Sequence, residues 1–347
     1  TAGLLGSWVN VRNMMGPNAQ FTGVFSPNDP IEILWTDANA HDAERDVYLH
    51  ANRTHDLIKL YDPEFGYPDY SMPANVNIAA SCNAFWDGNS INFYRASGGC
   101  GNTGQMGDVI YHEYGHGLTQ WIYGDNPDDV GEGNSDVLGL LIDGNPVMGE
   151  GFYLGQCTNG IRTADNELRY PDDYRPGQIH YNGQIISGFW WDARAGLIET
   201  VGEEGVRDVI WPIWNGSRRL LQPMNMPDQV LAAFVADDDD GNLANGTPHY
   251  DVFCRAAERH GLEAPGPDAA VTFGHEPLRS KVWDGEWDRV VATVVSGGGE
   301  IDPASVTLVV RVDDGEPHEY KMRPTGRPDE YTMLIRPQAV GRHVDYA

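Results

Sequence analysis

Residues His112, Glu113, Tyr114, Gly115 and His116 spell H-E-x-x-H. On a helix, positions i and i+4 share one face. The two imidazoles then stand side by side, the placement two nitrogen ligands need on one Zn²⁺. Glu113 follows the first histidine and reaches a water on that ion as general base. Val109, Ile110 and Tyr111 lead in, and Leu118, Trp121 and Ile122 follow, so the segment reads as a buried helix. Two histidines and a glutamate inside such a helix carry a desolvation cost that a metal would offset.

A catalytic zinc keeps three protein ligands and leaves one position for water. One source of a third ligand is a continuation to G-x-x-H. It fails here, because Thr119 stands at the glycine position and Ile122 at the histidine. The other source is a glutamate on the next helix. Gly131-Glu132-Gly133-Asn134-Ser135-Asp136 opens a second apolar segment, Val137 to Ile142. Glu132 and Asp136 are again i and i+4 and face one way. Glu132 is assigned as third ligand. Asp136 then holds the free ring N–H of a liganding histidine and fixes its tautomer. The plain alternative for Glu132 is an acid in a helix's first turn, which the dipole favours.

The runs HEYGHGLTQ and GEGNSD resemble the fungalysin family of secreted metallopeptidases, within the thermolysin-like (gluzincin) group. The likeness covers roughly residues 30 to 260. It implies an α+β, two-lobed zinc peptidase domain with the active-site helix between the lobes. Asn83-Ala84-Phe85-Trp86 is similar to that group's N-A-F-W edge strand. There the Asn83 side chain and the Ala84 carbonyl would bind the substrate backbone. Gly107-Asp108-Val109-Ile110 stands where a similar run precedes the zinc helix. Ile179-His180 resembles the pair whose histidine stabilises the oxyanion, and Arg162 in Gly160-Ile161-Arg162 the active-site arginine, with Arg169 as alternate.

By the same resemblance, Val109, Met148 and Ile161 line the primed-side pocket. All three are apolar, so cleavage is expected on the amino side of residues such as Leu or Phe. Two departures stand out. Fifteen residues separate His116 from Glu132, a short interval. The family's hydrogen-bonding tyrosine is then Tyr123, or Tyr123 is structural. Arg175 occupies the place of the acid that orients the oxyanion histidine, so Asp172 or Asp173 must substitute. Asp108, Asp143 and Glu150 match calcium ligands of the group, and three gathered carboxylates repel one another without a hard cation. One Ca²⁺ is expected there. The rival is the Asp-rich run Asp237 to Asn242.

The chain has 347 residues and a formal net charge of −28, which argues against nucleic-acid partners. Its partners are expected to be protein or peptide substrates, and the chain a monomer. No apolar run approaches membrane length. The start at Thr1 suits a mature product, and a secreted location is expected. Lys59, Lys281 and Lys321 are the only lysines, which fits salt adaptation or a GC-rich genome. Of four cysteines, Cys82 and Cys100 bracket the substrate strand, where a disulfide would close a short loop. Cys157 with Cys254 is the remaining pair.

Four segments are expected. Residues 1–30 form an extended surface arm; 31–136 the N-terminal lobe with the zinc helix; 137–265 a mainly helical lobe; 266–347 a small β-sandwich. Helices are expected over Ala38 to Tyr61, Ser187 to Thr200, Val206 to Trp214 and Gln229 to Ala236. Strands are expected around Val76 to Phe93, split at Asp87-Gly88. Pro265-Gly266-Pro267 marks the domain boundary, and Asp314-Gly315 a turn. Trp190, Trp191, Trp211 and Trp214 read as core. The functional expectation is a zinc endopeptidase. The alternatives are a zinc aminopeptidase and a catalytically weak, zinc-holding adhesion protein.

Overall fold

The computed structural model describes residues 1–26, 28, 30–124, 126–266, 271–275, 278, 287–296, 301–313 and 315–347. They divide into two compact units. The first is Thr1–Ala236 with Asp251–Ala264, the second Asp237–Tyr250 with Pro265–Ala347.

In the first unit a four-stranded sheet is built from β1 (Val9–Asn13), β2 (Met72–Ile78), β3 (Ala84–Trp86) and β4 (Ile91–Tyr94). Its order is β1-β2-β4-β3, so β3 is an edge strand. β3 runs antiparallel to β4, with Asp87 to Ser90 turning the chain between them. The arm expected on the surface instead contributes β1, parallel to β2 from Val9↔Met72 to Asn13↔Val76. Val9 and Val11 are buried. Their alternation is a strand signal that the surrounding Gly, Asn and Pro obscure.

Helix α1 (Asp42–Tyr61) starts at a capping box, with His41 accepting from Ala43 N–H and Glu44 reaching back to His41 N–H. Ala43, Val47, Ala51 and Ile58 form its buried stripe. Helix α2 (Gly107–Tyr123) stops at Gly124, and α3 (Asp128–Asp143) at Gly144, both in left-handed C-cap conformations. The two helices approach closely at Gly115. A Cβ there would sit 2.9 Å from the Ser135 Cα, so a larger residue would push α3 away. A short hairpin, β5 (Val147–Met148) with β6 (Arg162–Thr163), follows α3.

Helix α4 runs from Ile179 to Leu221, with a break at Gly202 (φ 78, ψ 165). The break separates the two helices expected from the sequence, and the first begins at Ile179 rather than Ser187. Its polar first turn shows no apolar period from which to read it. Trp190, Trp211 and Trp214 are buried. Trp191 is half-buried, with the Arg194 guanidinium 5.3 Å from its ring. Helices α5 (Met226–Asp237) and α6 (Tyr250–Arg259) follow.

Cys82 and Cys100 form a disulfide. Cys157 and Cys254 do not pair. Cys254 Sγ points along its own helix to Glu258, 3.9 Å away, while Cys157 lies exposed in a loop.

The second unit holds two antiparallel sheets. One is β10 (His318–Lys321), β9 (Thr307–Val312) and β13 (Val344–Tyr346) in that order. The other is β11 (Arg323–Pro324), β12 (Glu330–Ile335), β8 (Asp288–Ser296) and β7 (Val271–His275). Val290 and Val294 of one sheet share a buried cluster with Leu308 and Val310 of the other. Pro267 and Asp314, in the expected boundary and turn, lie outside the described residues.

Candidate metal centre and cleft

Three helices of the first unit bring the chemistry together. α2 supplies His112, Glu113 and His116; α3 supplies Glu132 and Asp136; the first turn of α4 supplies His180. The Nε2 atoms of His112 and His116 lie 3.0 Å apart. Glu132 Oε2 is 3.4 Å from His112 Nε2, and its Oε1 is 3.6 Å from His116 Nε2. These three residues offer ligand atoms within 4.8 Å of one another. Donors bonded at about 2 Å to a tetrahedral Zn²⁺ stand about 3.3 Å apart. The observed spacings bracket that value. Glu113 Oε2 and Glu132 Oε2 are buried without a hydrogen-bond partner, a cost that a cation held by Glu132, with a water of that cation beside Glu113, would offset. The donor set therefore fits zinc.

Electrostatics divide the two histidines. Burial alone would depress His112, but the carboxylates of Asp136 and Glu132 outweigh it and lift its pKa to about 10. Burial, aided by the His112 charge, lowers His116 to about 4. Two facing imidazoles cannot both hold a proton between them. His112 Nδ1 is 2.8 Å from Asp136 Oδ1. The second Asp136 oxygen takes part in a two-pronged pair with Arg162, at 2.7 Å for each bond. Burial alone would raise Asp136, yet Arg162 and His112 hold it well below the usual carboxylate range. Burial pushes Glu113 up to about 7.

A cleft of about 500 Å³ opens over these groups. Asn83, Ala84, Val109, Met148, Ile161 and Arg162 all line it, as does His180. The carbonyl of Asn83 is turned inward, accepting from Thr103 and Tyr94. The Ile161 N–H donates to the Met148 carbonyl, which holds the two pocket residues at neighbouring places on the hairpin. His180 is in a helix's first turn, its side chain 62% exposed and its Nε2 3.4 Å from Glu132 Oε2. Burial against its neighbours lowers its pKa.

Other expected residues lie elsewhere. Tyr123 does not line the cleft; at the far end of α2 its hydroxyl has the Arg218 guanidinium as neighbour. It lies seven residues past His116, about two turns farther along the same face of the helix, and so beyond the cleft. Arg169 donates to the carbonyls of Glu258 and Arg259, so Arg162 alone of the two enters the cleft. Asp173 accepts from the Arg169 N–H, and the acid facing His180 is Glu132 rather than Asp172 or Asp173. Arg175 stacks on the Tyr181 ring at 3.6 Å.

Asp108, Asp143 and Glu150 do share a cavity of about 250 Å³ behind the centre. Each has protein partners, however. Asp108 accepts from Val109 and Gly149 N–H, Asp143 lies 3.4 Å from Arg53, and Glu150 accepts from Asn145. Among the described residues their oxygens do not form a convergent three-ligand group, unlike those of Asp238, Asp239 and Asp240 in the second unit.

The sequence reading missed Gln120, Asn126, Phe152 and Tyr153, which also line the cleft. Gln120 was accessible, being four residues past His116 on the same helical face. The others come from loops and turns, where no periodicity marks the cleft side.

No family model matches the chain. A gelatinase of Enterococcus faecalis is 27% identical over 170 residues, covering 42% of this chain and 32% of that protein. The match thus spans about a third of the relative's length. The precursor of protealysin, a metalloproteinase from Serratia proteamaculans, superposes with a TM-score of 0.56 at 17% identity, over 73% of this chain and 85% of that one. The chain thus has the α+β fold of that metalloproteinase precursor.

Proposed function

We propose that the chain is a zinc-dependent endopeptidase. The observation that carries this reading is the largely buried His112–His116–Glu132 donor set beside Glu113, whose Oε2 is buried without a hydrogen-bond partner. The likeness of fold and sequence to proteins named metalloproteinase and gelatinase supports it. Zinc in such a set acidifies water and polarises a carbonyl. Glu113 takes the proton of the attacking water and delivers it to the leaving amine. In the metal-free chain burial raises its pKa to about 7, and a bound cation would lower it. His180 donates to the developing oxyanion. Arg162 fixes Asp136, which in turn orients the His112 ring.

The free edge of β3 holds the substrate in extended form through Asn83 and Ala84. Val109, Met148 and Ile161 select a hydrophobic side chain after the scissile bond. We read the enzyme as secreted and monomeric. The Cys82–Cys100 disulfide suits an oxidising compartment. Its lobes are residues 31–136, with β1 added to their sheet, and residues 137–265 without the Asp237–Tyr250 stretch that falls in the second unit, which we read as a β-sandwich. The fungalysin resemblance of the zinc runs belongs to the same reading.

The test is casein hydrolysis with and without a zinc chelator, repeated on Glu113→Gln. Chelator-sensitive cleavage that the variant lacks is expected. An aminopeptidase would instead release single residues from free amino termini, and an adhesion protein would hold zinc without cleaving.

A further inference from the structure

A second groove adjoins the cleft in the first unit. Trp86 and Gln120 line both cavities, joined by a 2.6 Å hydrogen bond from the indole N–H to the amide oxygen. Past this pair the groove, about 650 Å³, is walled by Tyr67, Tyr70 and Trp121. Tyr67 stacks on Trp121 at 5.2 Å and meets Tyr70 at 5.7 Å. Trp121 is 61% exposed although it belongs to that aromatic wall. A large indole left open to solvent beside other rings is an unfilled apolar surface.

Gly117 makes the groove. A Cβ there would lie 2.4 Å from the Tyr67 hydroxyl and in contact with the Trp86 ring at 3.4 Å, so any side chain would displace Tyr67. Among the described residues the groove is nearly neutral. Their one carboxylate there, Asp69, is paired with Lys59 and His55, and burial raises the pKa of the Tyr67 hydroxyl. Such a surface suits an uncharged ring rather than a charged side chain.

The edge strand supplies the route. β3 runs from Ala84, beside the metal centre, to Trp86, at the mouth of the groove. A chain laid along that edge advances about 3.3 Å per residue. Residues beyond the Trp86 end of the strand therefore reach Trp121. We propose that this groove is a distal subsite that binds an aromatic or prolyl ring of the polypeptide substrate, with Trp121 as its specificity-determining residue. The proposal rests on the endopeptidase reading and extends it from the scissile bond outward.

The test compares fluorogenic peptides too short to pass Trp86 with longer ones carrying Phe or Gly in the added segment, extended in each direction. In the wild type, Phe should raise kcat/KM about fivefold over Gly in one direction only, through KM, the scale of one aromatic contact. Trp121→Ala should remove that preference and Trp121→Phe should keep it. No Phe preference in the wild type, or an intact one in Trp121→Ala, overturns the proposal. If no peptide of any length is cleaved, the endopeptidase reading fails instead. The groove is then judged by calorimetric binding of the same peptides to Glu113→Gln. Tighter binding of the Phe peptide that Trp121→Ala abolishes supports it, and equal binding of Phe and Gly peptides overturns it.

Discussion

His112 and Asp136, on different helices, meet through Nδ1 and Oδ1 at 2.8 Å. Arg162 grips the same carboxylate with two bonds of 2.7 Å each. The Nε2 side of His112 is thereby aimed at His116 and Glu132, and the ring cannot turn without breaking a buried charge cluster.

Asp136→Ala should weaken zinc binding by about 10- to 100-fold, the usual scale for losing a group that orients a ligand. Competition with a chromophoric chelator reads the affinity. Unchanged affinity would mean that the packing around His112 alone holds the ring. Arg162→Ala should act in the same direction, because it leaves Asp136 less firmly placed.

Glu132→Ala should lose zinc, while Glu113→Gln should retain about one zinc per chain and lose peptide hydrolysis by about 10²-fold or more. Elemental analysis of protein purified without chelator separates the two. Equal zinc loss in both variants would remove Glu113 from the role of base and make it part of the donor set.

His180→Ala should lower kcat by about 10²-fold with little change in KM, as expected for a donor engaged mainly in the transition state. Its 62% exposed side chain makes the substitution structurally mild. Full activity in the variant would place the oxyanion donor elsewhere.

Glu113 sets a pH signature in zinc-stripped protein. Its folded pKa is raised from 4.5 to about 7 by burial. The folded chain therefore binds the proton more tightly than the unfolded chain. The stabilisation from this group is full below pH 4.5 and is lost as pH rises through about 7. Melting temperatures of the wild type should fall relative to Glu113→Gln across that window. A constant difference between the two would show that Glu113 is not desolvated.

Reducing the Cys82–Cys100 disulfide, which closes an 18-residue separation, should destabilise the first unit by about 2–4 kcal/mol. Thermal melts with and without reductant, on Cys157→Ser/Cys254→Ser protein, isolate this effect. Catalysis should suffer too, because Cys82 borders the cleft beside Asn83.

The sequence by itself determined which donors each of the two helices presents on one face. The i, i+4 spacing within His112–His116 and within Glu132–Asp136 is a property of any helix, so local periodicity sufficed to put each pair on one face. The apolar runs behind those pairs also marked the two helices as buried. Tertiary structure decided the rest. Whether Glu132 meets His112 depends on how α2 packs on α3, and that depends on Gly115 admitting Ser135. The arm's entry into the sheet as β1, the early start of α4 at Ile179 and the unpaired Cys254 are likewise set by packing. The acids Asp108, Asp143 and Glu150 look like a cation site when counted along the chain. In space the three do share one cavity, where Asp143 and Glu150 help raise the Asp108 pKa, and each also has a protein partner. Spacing along a sequence fixes which side chains share a face, but only the packed chain fixes which faces meet.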